Sequence, residues 1–193
     1  MINGSTVKRL VLAMVFITLV IGPAQATDTI KVGVVGPRTG GAAATGKAFE
    51  EGIQLATNYV NANGGVLGKK LEIVFEDTAG APDKAASGFE RLATRDKVVM
   101  VLGESHSSSA LAEIEVAKRL KIPFMVVEAW ADPITAKNYR YVFRAGPSNS
   151  GVVNATIAKW VQAEKFKKVA IVAENTDWGL GIARLCETAL DKA

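Results

Sequence analysis

Between Ile30 and Gly103 the chain alternates apolar runs with amphipathic stretches: IKVGVVG, the small-residue segment PRTGGAAAT, GKAFEEGIQLATNYVNANGG, then KKLEIVFED and a second cycle. Apolar runs joined through helical patterns predict an α/β fold, here a Rossmann-like parallel sheet lobe with helices on both faces. Such sheets place their ligands outside the carboxyl ends of the strands. The loops that follow the strands are therefore where a site is expected.

Lys8 and Arg9 precede an apolar run from Leu10 to Ile21, broken by Gly22-Pro23 and closed by Ala24-Gln25-Ala26. That pattern predicts a signal peptide over residues 1–26 and a mature start at Thr27. Twelve apolar residues are too few to span about 30 Å of hydrocarbon at roughly 1.5 Å per residue. Taking 26 residues from 193 leaves 167, enough for one domain and its core. The formal charge of +4 loses the two of Lys8 and Arg9 and becomes +2. No basic block is present, so nucleic acid is not an expected partner. The single cysteine, Cys186, cannot form an internal disulfide, and Thr27 stands where a lipoprotein would carry its acylated cysteine. The expected product is a soluble monomer in the periplasm, without a lipid anchor. Export also removes the usual nucleotide supply, so no cofactor or metal is expected and a small solute is the leading ligand class.

Helical spacing predicts a helix over 46–63 with Phe49, Ile53, Ala56 and Val60 inward, capped by Gly64-Gly65. A second helix opens at Pro82 and buries Ala86, Phe89 and Ala93. A third runs to Leu120, burying Leu111, Ile114 and Ala117 and pairing Glu115 with Arg119. Further strands are expected at 98–102, 124–127 and 141–144. Gly146 to Gly151 is the strongest break in the mature chain. It divides an N-terminal lobe, 27–147, from a hinge and the start of a second lobe, 148–193. That second part should hold a helix over 152–163, a strand over 169–173 and a last helix.

Three motifs need weighing. Gly41 to Lys47 matches a phosphate-binding loop except that Ala48 replaces the metal-binding hydroxyl, and it reads better as a small-residue lip. Gly103-Glu104-Ser105-His106-Ser107 approaches a nucleophile elbow, which would make the chain an exported α/β serine hydrolase. His106 is the only histidine and adjoins Ser105, so their side chains are expected to diverge and no triad to form. No catalytic residue is assigned. The third reading takes Ser107, Ser108 and Ser109 as the start of a helix on the sheet's ligand edge. Free N–H groups and the positive dipole end favour a carboxylate there, while plain N-capping would need only one serine.

From Thr27 onward the residues resemble the periplasmic solute-binding proteins of the leucine/isoleucine/valine type. The stretches N-x-x-GG-x-x-GKKLE, the serine run after strand three, ADPITAKNYRYVFR and the DWG turn carry the likeness. The resemblance implies two α/β lobes on a hinge, closing on an amino acid for delivery to an ABC permease, with no enzymatic activity. It implies that Ser107 binds the ligand carboxylate and that Ala129 accepts from its amino group through the carbonyl. Ala131 falls where a threonine contact is usual, Trp178 where an aromatic covers the ligand, and Thr45 beside the side-chain pocket, with Ser105 in the same loop as Ser107. Ala131 lacks a hydroxyl, so amides and aromatic acids stay open as ligands, as does a sensory role. His106 and Ala79 stand where some relatives have a disulfide. Family members exceed three hundred residues, so the chain is expected to be an N-terminal portion.

Overall fold

The computed structural model describes residues 29–191. The predicted signal peptide and Thr27 lie outside them. The strands β1 (Thr29–Gly36), β2 (Lys70–Asp77), β3 (Met100–Gly103), β4 (Phe124–Val126) and β5 (Val142–Arg144) form one parallel sheet in the order β2-β1-β3-β4-β5. The order reverses between β1 and β3, which opens a crevice at their carboxyl ends.

Three long helices connect the first four strands: α1 (Ala43–Ala62), α2 (Pro82–Thr94) and α3 (Ser107–Leu120). Right-handed crossovers running in opposite directions put α1 on one face and α2 with α3 on the other. The α2/α3 face is the well-filled one. There Phe89, Leu92, Val101, Ile114, Phe124 and Val126 are buried together, and Phe89 meets Phe124 edge to face with centroids 5.2 Å apart.

The helices form as the periodicity predicts, with shifted faces. Helix α2 buries Ala85, Gly88, Phe89 and Leu92, leaving Ala86 and Ala93 half-buried. In α3, Leu111 is only half-buried, Ile114 and Ala117 are buried, and the predicted Glu115–Arg119 pair does not form. Glu115 meets Lys118 at 3.2 Å, while Arg119 reaches across to Glu90 on α2 at 3.1 Å. A cross-helix partner displaces the local one because α2 and α3 lie side by side. Helix α1 begins three residues earlier than expected. Ala56 is exposed, and Phe49, Ile53 and Val60 are half-buried, because α1 covers its sheet face alone. Its end follows the glycine reading: Gly64 and Gly65 have φ of 96° and 74°, and the Gly65 N–H donates to the Val60 carbonyl at 2.9 Å.

After a short turn of helix, α4 (Pro133–Ala136), and β5, the chain is helical again through α5 (Asn149–Val152), a π turn at Val153–Ile157, and α6 (Ala158–Glu164). Val153 is buried. The predicted strand over 169–173 is not formed. The segment is unpaired and exposed, with Val172 98% accessible, because no neighbouring strand supplies hydrogen-bond partners. The last helix, α7 (Asp177–Leu190), packs on α5 and the π turn and touches α3. Among the described residues no helix is long and apolar enough to cross a membrane.

Candidate functional site

A cleft of about 370 Å³ lies at the carboxyl edge, above the switch between β1 and β3. Each loop that rims it descends from one strand. Ala42 and Thr45 follow β1, Gly80 follows β2, Ser105 to Ser108 follow β3, and Glu128 and Trp130 follow β4. Glu174, Thr176 and Trp178, at the start of α7, close the other side.

The first wall is held by Asp77 at the end of β2. Its carboxylate accepts from the N–H groups of Arg38, Thr39 and Ala79 and from the Thr39 hydroxyl, fastening the loop after β1 to the end of β2. Burial pushes this carboxyl up, but the hydrogen bonds, that of the Thr39 side chain foremost, outweigh it and hold it below the ordinary value. Gly46 sits where a Cβ would fall 2.0 Å from the Pro37 carbonyl oxygen, so only glycine lets α1 approach the lip this closely. The glycine and lysine of the phosphate-loop motif thus lie inside a helix, and Lys47 pairs with Glu51 at 3.7 Å. That arrangement leaves no phosphate cradle.

The floor is the loop from β3 into α3. Glu104 is buried, and its Oε1 accepts from the N–H groups of Ser105 at 2.8 Å and His106 at 3.0 Å. With those two donors occupied, the free donors that face outward are those of the first turn of α3. His106 takes the N-cap position, and no side chain caps the helix. Ser107 is therefore not a cap. Its hydroxyl oxygen, nearly buried, accepts from the Ala131 N–H at 3.2 Å, which leaves the hydroxyl proton for another acceptor. A hydroxyl donor beside unpaired helix N–H groups makes a receptor for one carboxylate.

The expected divergence of Ser105 and His106 does not occur. Ser105 Oγ lies 3.1 Å from His106 Nδ1, which also lies 3.4 Å from Glu104 Oε1. The same backbone turn that gathers both N–H groups onto Glu104 brings the two side chains together. A relay from serine through histidine to an acid uses opposite ring nitrogens. Here one nitrogen faces both partners, and the far edge of the ring lies against Gly80. No triad is assembled.

Thr45, Ser105, Ser107 and Trp178 thus meet in one cleft. Ala129 and Ala131 do not line it. Both are buried, the Ala129 N–H donating to the Glu104 carbonyl at 3.0 Å and the Ala131 N–H to Ser107. Their place is beneath the site, holding the serine loop. His106, Glu174 and Thr176 also line it without having been singled out as ligand contacts. The two glutamates of the underlying layer were also unforeseen. Glu113 on α3 is fully buried with no partner for either oxygen, and burial, reinforced by Glu104, raises its carboxyl well above the ordinary range. Nothing in the spacing separates Glu113 from an ordinary outward helix residue. Among the described residues no three His, Cys, Asp or Glu side chains gather as a metal site would need.

A doubly wound lobe with a crevice at its switch point defines the class structurally. The periplasmic binding protein model matches residues 29–193, and the chain belongs to that family. It is 31% identical over 166 residues to the Leu/Ile/Val-binding protein of Escherichia coli, covering 86% of this chain and 45% of that one. Among solved structures it is similar to a branched-chain amino acid transporter substrate binding protein of Streptococcus pneumoniae in complex with isoleucine. That match has a TM-score of 0.77 and 32% identity, over 84% of this chain and 47% of that one. A solute binding protein of an R. palustris ABC transporter in complex with benzoate also has a TM-score of 0.77, with 30% identity over 86% of this chain and 45% of the other. The chain spans about half the length of the relatives it matches.

Proposed function

We propose that this chain contributes the N-terminal lobe of a substrate-binding component of an ABC uptake system. It acts in the periplasm as a monomer and presents its solute to an inner-membrane permease. The solute is a branched-chain amino acid or a close relative. The observation that carries this reading is Ser107, whose hydroxyl proton and neighbouring helix N–H groups converge on one cleft at the sheet's switch point. In this reading Ser107 anchors the carboxylate and Thr45 borders the side-chain pocket. Ser105 shapes the floor and Trp178 covers the ligand, while Ala129, buried beneath the cleft, holds the serine loop through its N–H. Ala131 acts through the N–H that orients Ser107. The hinge falls at 148, and the residues beyond it begin the second lobe.

An aromatic carboxylate is the second reading. It is supported by Trp130 and Trp178, which offer two ring faces in one cleft, and by Ala131, which has no hydroxyl for an amino-acid head group. The similar structures in complex with isoleucine and with benzoate keep both ligand types in view. Binding without turnover is supported by the single histidine nitrogen that serves both Ser105 and Glu104.

Calorimetric titration with leucine, isoleucine, valine, benzoate and 4-hydroxybenzoate tests the proposal. Saturable heat from one of these, with no labelling of Ser105 by a fluorophosphonate, is the expected result. Stoichiometric labelling of Ser105 would overturn it in favour of a hydrolase.

A further inference from the structure

Asn149 joins the two walls of the cleft. It is 1% exposed, and it stands directly after the Gly146-Pro147-Ser148 break. Its backbone N–H donates to the Trp130 carbonyl at 2.8 Å, and its side-chain Nδ2 donates to the Trp178 carbonyl at 3.1 Å. One residue is thus bonded to both tryptophans of the cleft, Trp130 on the loop after β4 and Trp178 in the first turn of α7. The rest of the amide is idle, since Oδ1 is buried without a partner. A buried amide that satisfies only its donor end is placed for that one bond, because its unmade acceptor bond has a cost.

The neighbourhood is built around this contact. Gly181, one turn further along α7, has its would-be Cβ 3.1 Å from Nδ2, so a side chain there would press on the amide. Asn149 also lines a cavity of about 230 Å³ with Asp132, Asp177 and Arg184, which leaves α7 lightly packed behind Trp178. The preceding residue adds only a long contact, from the Asp177 N–H to Ser108 Oγ at 3.4 Å. The amide of Asn149 is the shorter of these two fastenings.

We propose that Asn149 is a positioning residue, a pin that sets how far Trp178 stands from Trp130 and hence the width of ligand the cleft accepts. The effect on ligands rests on the receptor reading above; the pin itself does not. Asn149→Asp keeps the shape and the backbone bond to Trp130, but a carboxylate cannot donate to the Trp178 carbonyl.

Two single-tryptophan backgrounds separate the walls. Trp130→Phe with Trp160→Phe reports Trp178, and Trp160→Phe with Trp178→Phe reports Trp130. In the first, Asn149→Asp should raise acrylamide quenching about twofold, as expected when a helix turn is freed to open locally. In the second, quenching should stay unchanged. General loosening of the fold would move both reporters. Equal changes in both, or none in either, would overturn the pin. If Asn149→Asp does not fold, Gly181→Ala displaces the same amide and should give the same one-sided pattern. Titration of isoleucine and benzoate into Asn149→Asp with its tryptophans intact should show affinity falling about tenfold, equivalent to roughly 1.4 kcal/mol. Should none of the five ligands titrated above bind the unsubstituted protein, the receptor reading fails while the quenching result still decides the pin.

Discussion

The sheet lobe and the segment beyond Arg144 are written in the same alternation of apolar run and helix, yet only the first builds a sheet. IKVGVVG becomes β1 because β2 and β3 flank it, while VAIVA at 169–173 stays unpaired and exposed with no strand at either side. A buried run is a strand only where neighbours complete its ladder, and periodicity is silent about neighbours. The aromatic pairs show the same contrast. Phe89 and Phe124 are sealed between helix and sheet, whereas Trp160 and Phe166 meet at 5.3 Å with Trp160 60% exposed.

The largest effect that would sharpen this contrast is on stability. Phe89→Ala should cost about 3–5 kcal/mol in denaturant unfolding, the usual loss for a fully buried ring. Trp160→Ala should cost below roughly 1 kcal/mol, since much of its surface is already in water. Comparable losses at the two sites would break the comparison. Binding divides in the same direction. Ser107→Ala should weaken a carboxylate ligand by about 1–3 kcal/mol, the loss of one donor to a charged acceptor. Under the proposed reading Trp178→Ala should weaken it less, because Trp178 is itself 37% exposed to solvent. Affinities from calorimetry give both numbers.

The smallest effects are in pH dependence, where two carboxyls of the lobe work in opposite senses. Hydrogen bonds hold Asp77 below its ordinary 3.8, so its stabilisation is full above that value and is lost as the pH falls through the folded-state value. Burial and Glu104 hold Glu113 well above its ordinary 4.5, so the folded state binds that proton more tightly than the unfolded chain does. Stability from Glu113 is therefore complete below 4.5 and declines as the pH rises from there towards its folded-state value. Glu113→Gln should flatten that decline, and Asp77→Asn should flatten the acid limb, both read as melting temperature against pH.

Much of the lobe was legible in its residues. Pro82 and the Gly64-Gly65 pair mark helix ends, and the serine run marks the start of α3, since each acts through its own backbone. Positions that depend on a partner far along the chain were not legible. Arg119 turns to Glu90 because α2 lies beside it, and Ala56 is exposed because α1 has its sheet face to itself. His106 meets Ser105 because Glu104 gathers the turn. In the site, Ser107 was readable from its place at a strand's carboxyl end. Asn149 was not, because a polar residue in a Gly-Pro-Ser-Asn-Ser-Gly turn reads as solvated loop.

The central claim is that the first turn of α3 binds the carboxylate of a small solute. Amide correlation spectra of the ¹⁵N-labelled protein test it directly, because they detect binding even at millimolar affinity. Titration with isoleucine and benzoate to about 10 mM, enough to populate a site of millimolar Kd, should shift the amides of Ser107 and Ser108 and the indole signals of Trp130 and Trp178. Those shifts should be absent in Ser107→Ala. Saturable shifts confined to residues outside this cleft, or shifts at Ser107 and Ser108 that an ester of isoleucine, which lacks the carboxylate charge, reproduces at equal strength, would contradict it.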